Sequence, residues 1–530
     1  MSIRLEFRAC ALLTDVMEQV DVLIIGGGVN GVGIARDLAG RDLSVMLCEK
    51  NDLGGATSSS STKLFHGGLR YLEFFEFKLV RESLLEREHL LAAMPHISWP
   101  MRFVLPVDEA MVYGNHTSPV SRLLRWTLPW LRGRRPAWVL QLGLRIYDAL
   151  ASNSTLPNTR RINLAAFKEG TALKSDFSTA LEYSDGWVDD ARLVVLNARD
   201  AAARGADILP RTKVVSATPD AGRWQVTLDG GRAVQARLLV NAGGPWVSEI
   251  LAGALRQNNP PKMRLVRGSH IVTRALYDHD KAYFLQQPDG RIIFVIPYED
   301  EFTLIGTTEE PHHGDPKAAH CSPEERDYLL SAVNRYFAAE LVPEDVVWTY
   351  SGVRPLVDDN ADSATASSRD YDLQLIEVQN APVLNVFGGK ITTHRHLAEE
   401  ASNLVCGALG NQLPAWTRGV PLPGGDFNGR SPDQMFAELQ STYPFMSDGF
   451  ARRLIRTYGT EAWALLDDAS SLEDLGADYG ANLYQREVDW LRANEWAQTD
   501  EDILWRRTKL GLHGARLTPE ESANKRPRSA

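Results

Sequence analysis

The chain is poor in cysteine, with only 4 in 530 residues (Cys10, Cys48, Cys321 and Cys406) and no Cys-x-x-Cys pair. That scatter excludes a disulfide framework and a thiolate metal site, and it suits a reducing compartment. Cys48 reads as a small core residue rather than a reactive thiol. Long apolar runs are also missing: none approaches the roughly eighteen residues a bilayer span requires. The first residues, 1–19, carry Arg4, Glu6, Arg8, Asp15 and Glu18 and no clean apolar stretch before a cleavage site. They are expected to be a poorly packed extension rather than a secretory leader, with Met17 as the simpler start. A basic excess is absent too, since Lys+Arg is 57 against Asp+Glu 68, a net charge of −11. This argues against nucleic-acid binding, and an anionic ligand would need cations gathered locally. There is no internal repeat, no metal-ligand spacing, and no loop of alternating acids around a glycine that would hold calcium.

What is present is an ordinary globular composition, 44% hydrophobic and 24% charged, in a chain too long for one core. The most informative stretch begins at Asp21. An apolar run, Val22 to Ile25, meets Gly26, Gly28 and Gly31 in GxGxxG spacing, then an amphipathic segment, then Val45 to Leu47 and Glu49. This is a strand, a tight turn, a helix and a parallel strand. The first glycine makes the turn, the second lets a pyrophosphate approach, and the third lets helix pack on strand. Asn30 sits inside the same turn. The helix N-terminus offers oriented N–H groups to phosphate, and Glu49 would accept from the adenosine ribose hydroxyls. The competing reading is a glycine-rich turn without a ligand. The hydroxyl-rich loop that follows, with Thr57, Ser58 and Ser59 and then Lys63, suits the pyrophosphate and ribityl of FAD better than NAD.

Ser60-Ser61-Thr62-Lys63 leading into His66-Gly67-Gly68-Leu69-Arg70-Tyr71-Leu72-Glu73 resembles the FAD-dependent, quinone-linked aerobic glycerol-3-phosphate dehydrogenases of bacteria. Gly268-Ser269-His270, Trp348 to Leu356, Phe387 to Thr393 and Trp505 to Lys509 resemble the same family, so the likeness runs over nearly the whole chain. It implies an α/β fold: a Rossmann-like FAD-binding domain of the D-amino-acid-oxidase and glutathione-reductase type, an antiparallel-sheet cap over the substrate, and a C-terminal helical domain. The expected divisions are an FAD domain at 20–95, 185–260 and 350–403, a cap at 96–184 and 261–349, a helical domain at 420–516 and a tail at 517–530. Hairpins in series over 263–310 supply the cap sheet. Glu182 to Asp190 reads as a loop before a helix capped by Asp189, and Ser322 to Glu325 as a capping box.

The resemblance implies oxidation of sn-glycerol 3-phosphate to dihydroxyacetone phosphate, with electrons leaving for ubiquinone. A dianion in a shielded site is best held by guanidinium and ammonium groups. Arg70, Arg354 and Lys390 are the family's cations, with the Tyr71 hydroxyl beside them. Arg70 and Lys390 are assigned to the phosphate and Arg354 to the C2 oxygen. His66 and His270 are equal candidates for the base, against the purely structural role that lone histidines often have. Lys390 is a poorer base beside a dianion. Gly388, Gly389 and Thr392 would face the flavin pyrimidine, while Lys390, Val214, Ala242, Gly243, His66 and Gly67 complete a cofactor site for dissociable FAD.

One segment stands apart: from Ala110 to Tyr147 there is no acid, while Arg122, Arg125, Arg132, Arg134, Arg135 and Arg145 accompany Trp126, Trp130 and Trp138. Such interleaving suits an anionic membrane surface, the competing reading being a helix pair whose tryptophans are core and whose arginines are solvated. The expectation is a cytoplasmic protein held peripherally at the membrane, with a homodimer left open. The rivals are a glycerol-3-phosphate oxidase that reduces oxygen, and a membrane-docking flavin scaffold without turnover.

Overall fold

A computed structural model describes residues 17–108, 123, 126, 127, 137–151, 154–357 and 371–517, with backbone alone at Arg70, Glu73 and Val357. The apolar runs flanking the glycine turn become the centre of a sheet. Glu18–Ile25 lies between Val45–Glu49 and Ala233–Asn241, parallel to both, and Asp207–Pro210 and Ala381–Phe387 extend the sheet on either side. A buried parallel sheet demands cover on both faces. Helices Val29–Ala39, Asp190–Ala203 and His394–Leu409 supply one layer, packing Val32, Leu38, Leu193 and Leu397 against Val22, Ile24 and Leu47. The meander Val214–Asp220 and Arg223–Leu228 helps cover the other face through Trp224 and Val226.

The hairpins over 263–310 form as expected, but the sheet is larger than that run. It has ten strands and takes in Ser98–Pro106, Thr179–Val188, Leu64–Phe65 and the long Val346–Val357. The loop read from Glu182 is therefore strand as far as Val188, every residue of 180–188 being buried. Turn-forming Ser184, Asp185 and Gly186 are overridden by pairing with Ser98–Pro106 on one side. The divisions drawn at 185 and 350 both fall inside strands of this sheet. Asp189 does cap its helix, accepting from the Arg192 N–H at 3.1 Å, and Ser322 and Glu325 form the capping box.

After residue 415 the chain builds a separate helical core from Met435, Leu439, Leu454, Leu466 and Leu491 among others. Among the described residues no helix is long and apolar enough to cross a membrane.

Candidate active site

Between the two sheets lies a cavity of about 420 Å³. Its floor is backbone. Gly26 has φ +115°, and a Cβ there would lie 2.5 Å from the Ala242 carbonyl oxygen. At Gly31 a Cβ would stand 1.9 Å from the Gly26 oxygen, so only glycine lets the helix start this close to the strand. Gly31 does not reach the cavity; its place is the packing one. The Ser58 hydroxyl accepts from the Val29 N–H at 3.0 Å at the helix start, and Asn30 Nδ2 donates to the Gly388 carbonyl at 3.1 Å. Asn30 Oδ1 is buried on this wall without a hydrogen-bond partner. Glu49 accepts from the Gly27 N–H at 2.7 Å and the Asn51 N–H at 2.8 Å. Burial pushes its carboxyl above the usual range, against the pull of those two N–H groups. A glycine cradle, an orphaned amide oxygen and a fixed carboxylate fit a dinucleotide.

Another part of the wall is polar and cationic. His66, Tyr71, Arg354 and Lys390 line the same cavity, with Lys390 Nζ 4.0 Å from the Tyr71 ring centroid. Arg354 donates to the Thr307 hydroxyl at 3.2 Å and stands 3.9 Å from Glu309. Gly268 pairs with Gly352 across the sheet. A Cβ on Gly268 would come within 2.8 Å of the Arg354 guanidinium, and one on Gly352 within 2.9 Å of Ser60. The Thr392 hydroxyl joins the two loops, accepting from the His66 N–H at 3.3 Å.

Of the other expected residues, Thr57, Ser58, Val214, Ala242, Gly243, Gly388 and Gly389 are on the wall. The side chain of Arg70 lies outside the described residues. Four expectations are corrected. Lys63 is 2% exposed and pairs with Asp190 at 2.6 Å, so it is an internal strut rather than a phosphate cation. Ser59 turns its hydroxyl to the Ala56 carbonyl at 3.4 Å, off the wall. Gly67 offers its N–H to the Tyr147 hydroxyl at 2.7 Å, behind the wall. His270 is likewise set back, 1% exposed and stacked on Tyr350 at 4.7 Å. Its Nε2 is 2.9 Å from the Thr62 hydroxyl, and Thr62, not His270, lines the cavity. Burial, Arg354 and Lys63 hold the His270 imidazole neutral by pushing its pKa well below the usual histidine value.

Tyr183, Asp185, Phe284 and Phe294 also line the cavity, and sequence reasoning missed them. Asp185 is held by Tyr147 at 2.7 Å and Arg87 at 2.8 Å, and burial raises its carboxyl. The signal available was the apolar character of Thr179–Val188, masked by its turn-forming residues.

Residues 21–382 match the model of the FAD dependent oxidoreductases, and residues 415–521 match the C-terminal domain of alpha-glycerophosphate oxidase. The chain belongs to the FAD-dependent glycerol-3-phosphate dehydrogenase family. It is 47% identical to a glycerol-3-phosphate dehydrogenase of Pseudomonas aeruginosa over 93% of this chain and 92% of that protein. A D-erythritol 1-phosphate dehydrogenase of Brucella abortus is 45% identical over 96% of this chain and 97% of its own. The crystal structure of the Bacillus halodurans glycerol-3-phosphate dehydrogenase complexed with FAD superposes with a TM-score of 0.69 at 26% identity, covering 93% of this chain and 86% of that one. As a member of this dehydrogenase family the chain is a flavoenzyme.

Proposed function

We propose that this dehydrogenase oxidises sn-glycerol 3-phosphate to dihydroxyacetone phosphate and delivers the electrons to a membrane quinone. The observation that carries the reading is that Arg354, Lys390, Tyr71 and His66, from three distant parts of the chain, line the same cavity as the glycine cradle. Bound FAD supplies a two-electron acceptor at its ring. The chain's own residues must then hold the phosphate, steady the C2 oxygen and remove its proton. Lys390 holds the phosphate, with Arg70 as its partner from the neighbouring loop. Arg354 steadies the oxygen. His66 takes the hydroxyl proton, since it stands on the wall whereas neutral His270 acts only through Thr62.

Support for a lipid surface comes from helix Ala137–Leu150. It buries Ala137, Leu144 and Tyr147 while Trp138 is 55%, Leu142 54% and Ile146 39% exposed, one stripe at helical spacing. Trp126 nearby in sequence is 82% exposed. Trp130 and Arg122, Arg125, Arg132, Arg134 and Arg135 lie outside the described residues.

The test is anaerobic mixing of the FAD-loaded protein with glycerol 3-phosphate. Flavin bleaching is expected, followed by rapid reoxidation by a quinone analogue and slow reoxidation by oxygen. Fast peroxide production would make it an oxidase, and no bleaching would end the proposal. The Brucella relative supplies a second substrate to run in parallel, D-erythritol 1-phosphate.

A further inference from the structure

Among the described residues the C-terminal unit puts no side chain on the active-site cavity, whose wall ends in sequence at Thr392. Four residues in one short stretch of that unit, Trp505, Arg506, Arg507 and Lys509, nevertheless touch three separate supports of the wall. Arg507, 0% exposed, grips both Asp52 oxygens with its fork at 2.7 and 2.8 Å, and Arg506 adds a third bond at 2.6 Å. Asp52 belongs to the loop after Glu49, and that loop is tied to the glycine turn by the Gly54 N–H on the Gly27 carbonyl at 2.9 Å. Lys509 pairs with Asp189, the cap of the helix at 190–203. The next residue, Asp190, takes Lys63 at 2.6 Å and the Ser61 hydroxyl at 2.8 Å, so it holds both neighbours of Thr62. Trp505 packs on Trp348 at 4.9 Å, on the strand that carries Arg354.

We infer that Lys509, Arg507, Arg506 and Trp505 are positioning residues, a three-point clamp through which the C-terminal unit sets the cofactor loop, the hydroxyl loop and the arginine strand in register. Charge is a costly way to join two domains. Buried ion pairs often contribute less than apolar packing of the same volume, but a forked contact admits one geometry. Lys509, at 3% exposed, and Arg507 are both spent on residues that adjoin the site. A 1 Å misplacement of a reacting group is enough to slow a reaction substantially.

The inference rests on the proposed activity for its turnover readout alone; FAD affinity and the flavin spectrum report on the clamp independently. Full-length Lys509→Met, Lys509→Arg and the double variant Lys509→Met with Asp189→Asn are compared as holoenzymes. The double variant removes both partners of the Lys509–Asp189 pair together, so it decides the matter if Lys509→Met does not accumulate. Lys509→Met and the double variant should shift the flavin spectrum, weaken FAD and lower kcat about tenfold at little changed KM. Lys509→Arg should recover most of the loss. If the double variant loses melting temperature alone, with spectrum, FAD affinity and kcat unchanged, the clamp is merely structural and the inference falls. If wild-type protein fails to turn over glycerol 3-phosphate while the variants still shift the spectrum and FAD affinity, the proposed function falls and the clamp stands.

Discussion

Two parts of the cavity wall are built on different principles. The cofactor part is backbone: Gly26, Gly31 and Gly389 are positions where a Cβ would collide with neighbouring atoms at 1.9 to 2.9 Å. The substrate part is side chain, made of Arg354, Lys390, Tyr71 and His66 on loops brought together from far apart. A backbone site tolerates no added atoms but survives the loss of any one hydroxyl. A side-chain site tolerates small changes of shape and fails when one charge goes. The difference teaches that cofactor binding and turnover should be separable by mutation.

The largest effect is expected at the cradle. Gly31→Val places carbon within 1.9 Å of a carbonyl oxygen that cannot move without breaking the turn. The loss should exceed about 3 kcal/mol, giving protein without visible flavin absorbance. Retention of full FAD would show that the cofactor part is as adaptable as the other.

Next is Arg354→Ala. It should keep FAD and lower kcat/KM about 10²- to 10³-fold, the usual consequence of removing a donor to developing charge. Bleaching at the normal rate would move the chemistry away from Arg354.

A smaller loss is expected from Lys390→Gln, where a neutral donor replaces the ammonium. KM for the phosphorylated substrate should rise about tenfold with kcat less affected, in proportion to one lost ion pair. Steady-state kinetics against a non-phosphorylated polyol, on which the variant should have little effect, sharpens the assignment.

The smallest is a pH effect that grades the two parts. Burial pushes His394, beneath the cofactor helix, down to about 4 and His270, behind the substrate part, well below its usual value. Both folded values lie below the unfolded one of about 6.5. Stability that is complete above that pH is therefore lost on acidification, through about 4 for His394 and further for His270. His394→Gln should flatten the melting curve between those limits by about 3 °C, while His270→Gln should reduce a slope that continues to lower pH. Identical profiles would remove the distinction.

How far each part was legible follows from its construction. Gly26, Gly28, Gly31 and Glu49 announce themselves because their roles are set within one strand-turn-helix-strand unit. Arg354 and Lys390 are proposed only through family likeness, since nothing local says that a strand at 346–357 and a loop at 388–392 share a cavity. Lys63 was misplaced for the same reason: a lysine in a hydroxyl-rich loop reads as a phosphate ligand until Asp190 is seen beside it. Asp185 was hidden by turn-forming neighbours in a strand that pairing alone holds extended.

By itself, then, the order of residues determined the strand-turn-helix-strand unit of the glycine turn, the capped helices and a separate C-terminal helical unit, because short-range sterics and hydrogen bonding dictate those. The tertiary structure alone decided that His66 rather than His270 reaches the cavity, that Lys63 is a strut, and that Trp505, Arg506, Arg507 and Lys509 brace a site they never line. Those outcomes depend on which strands pair and which buried charges meet, and burial makes such long-range choices energetically decisive while leaving no local trace of them.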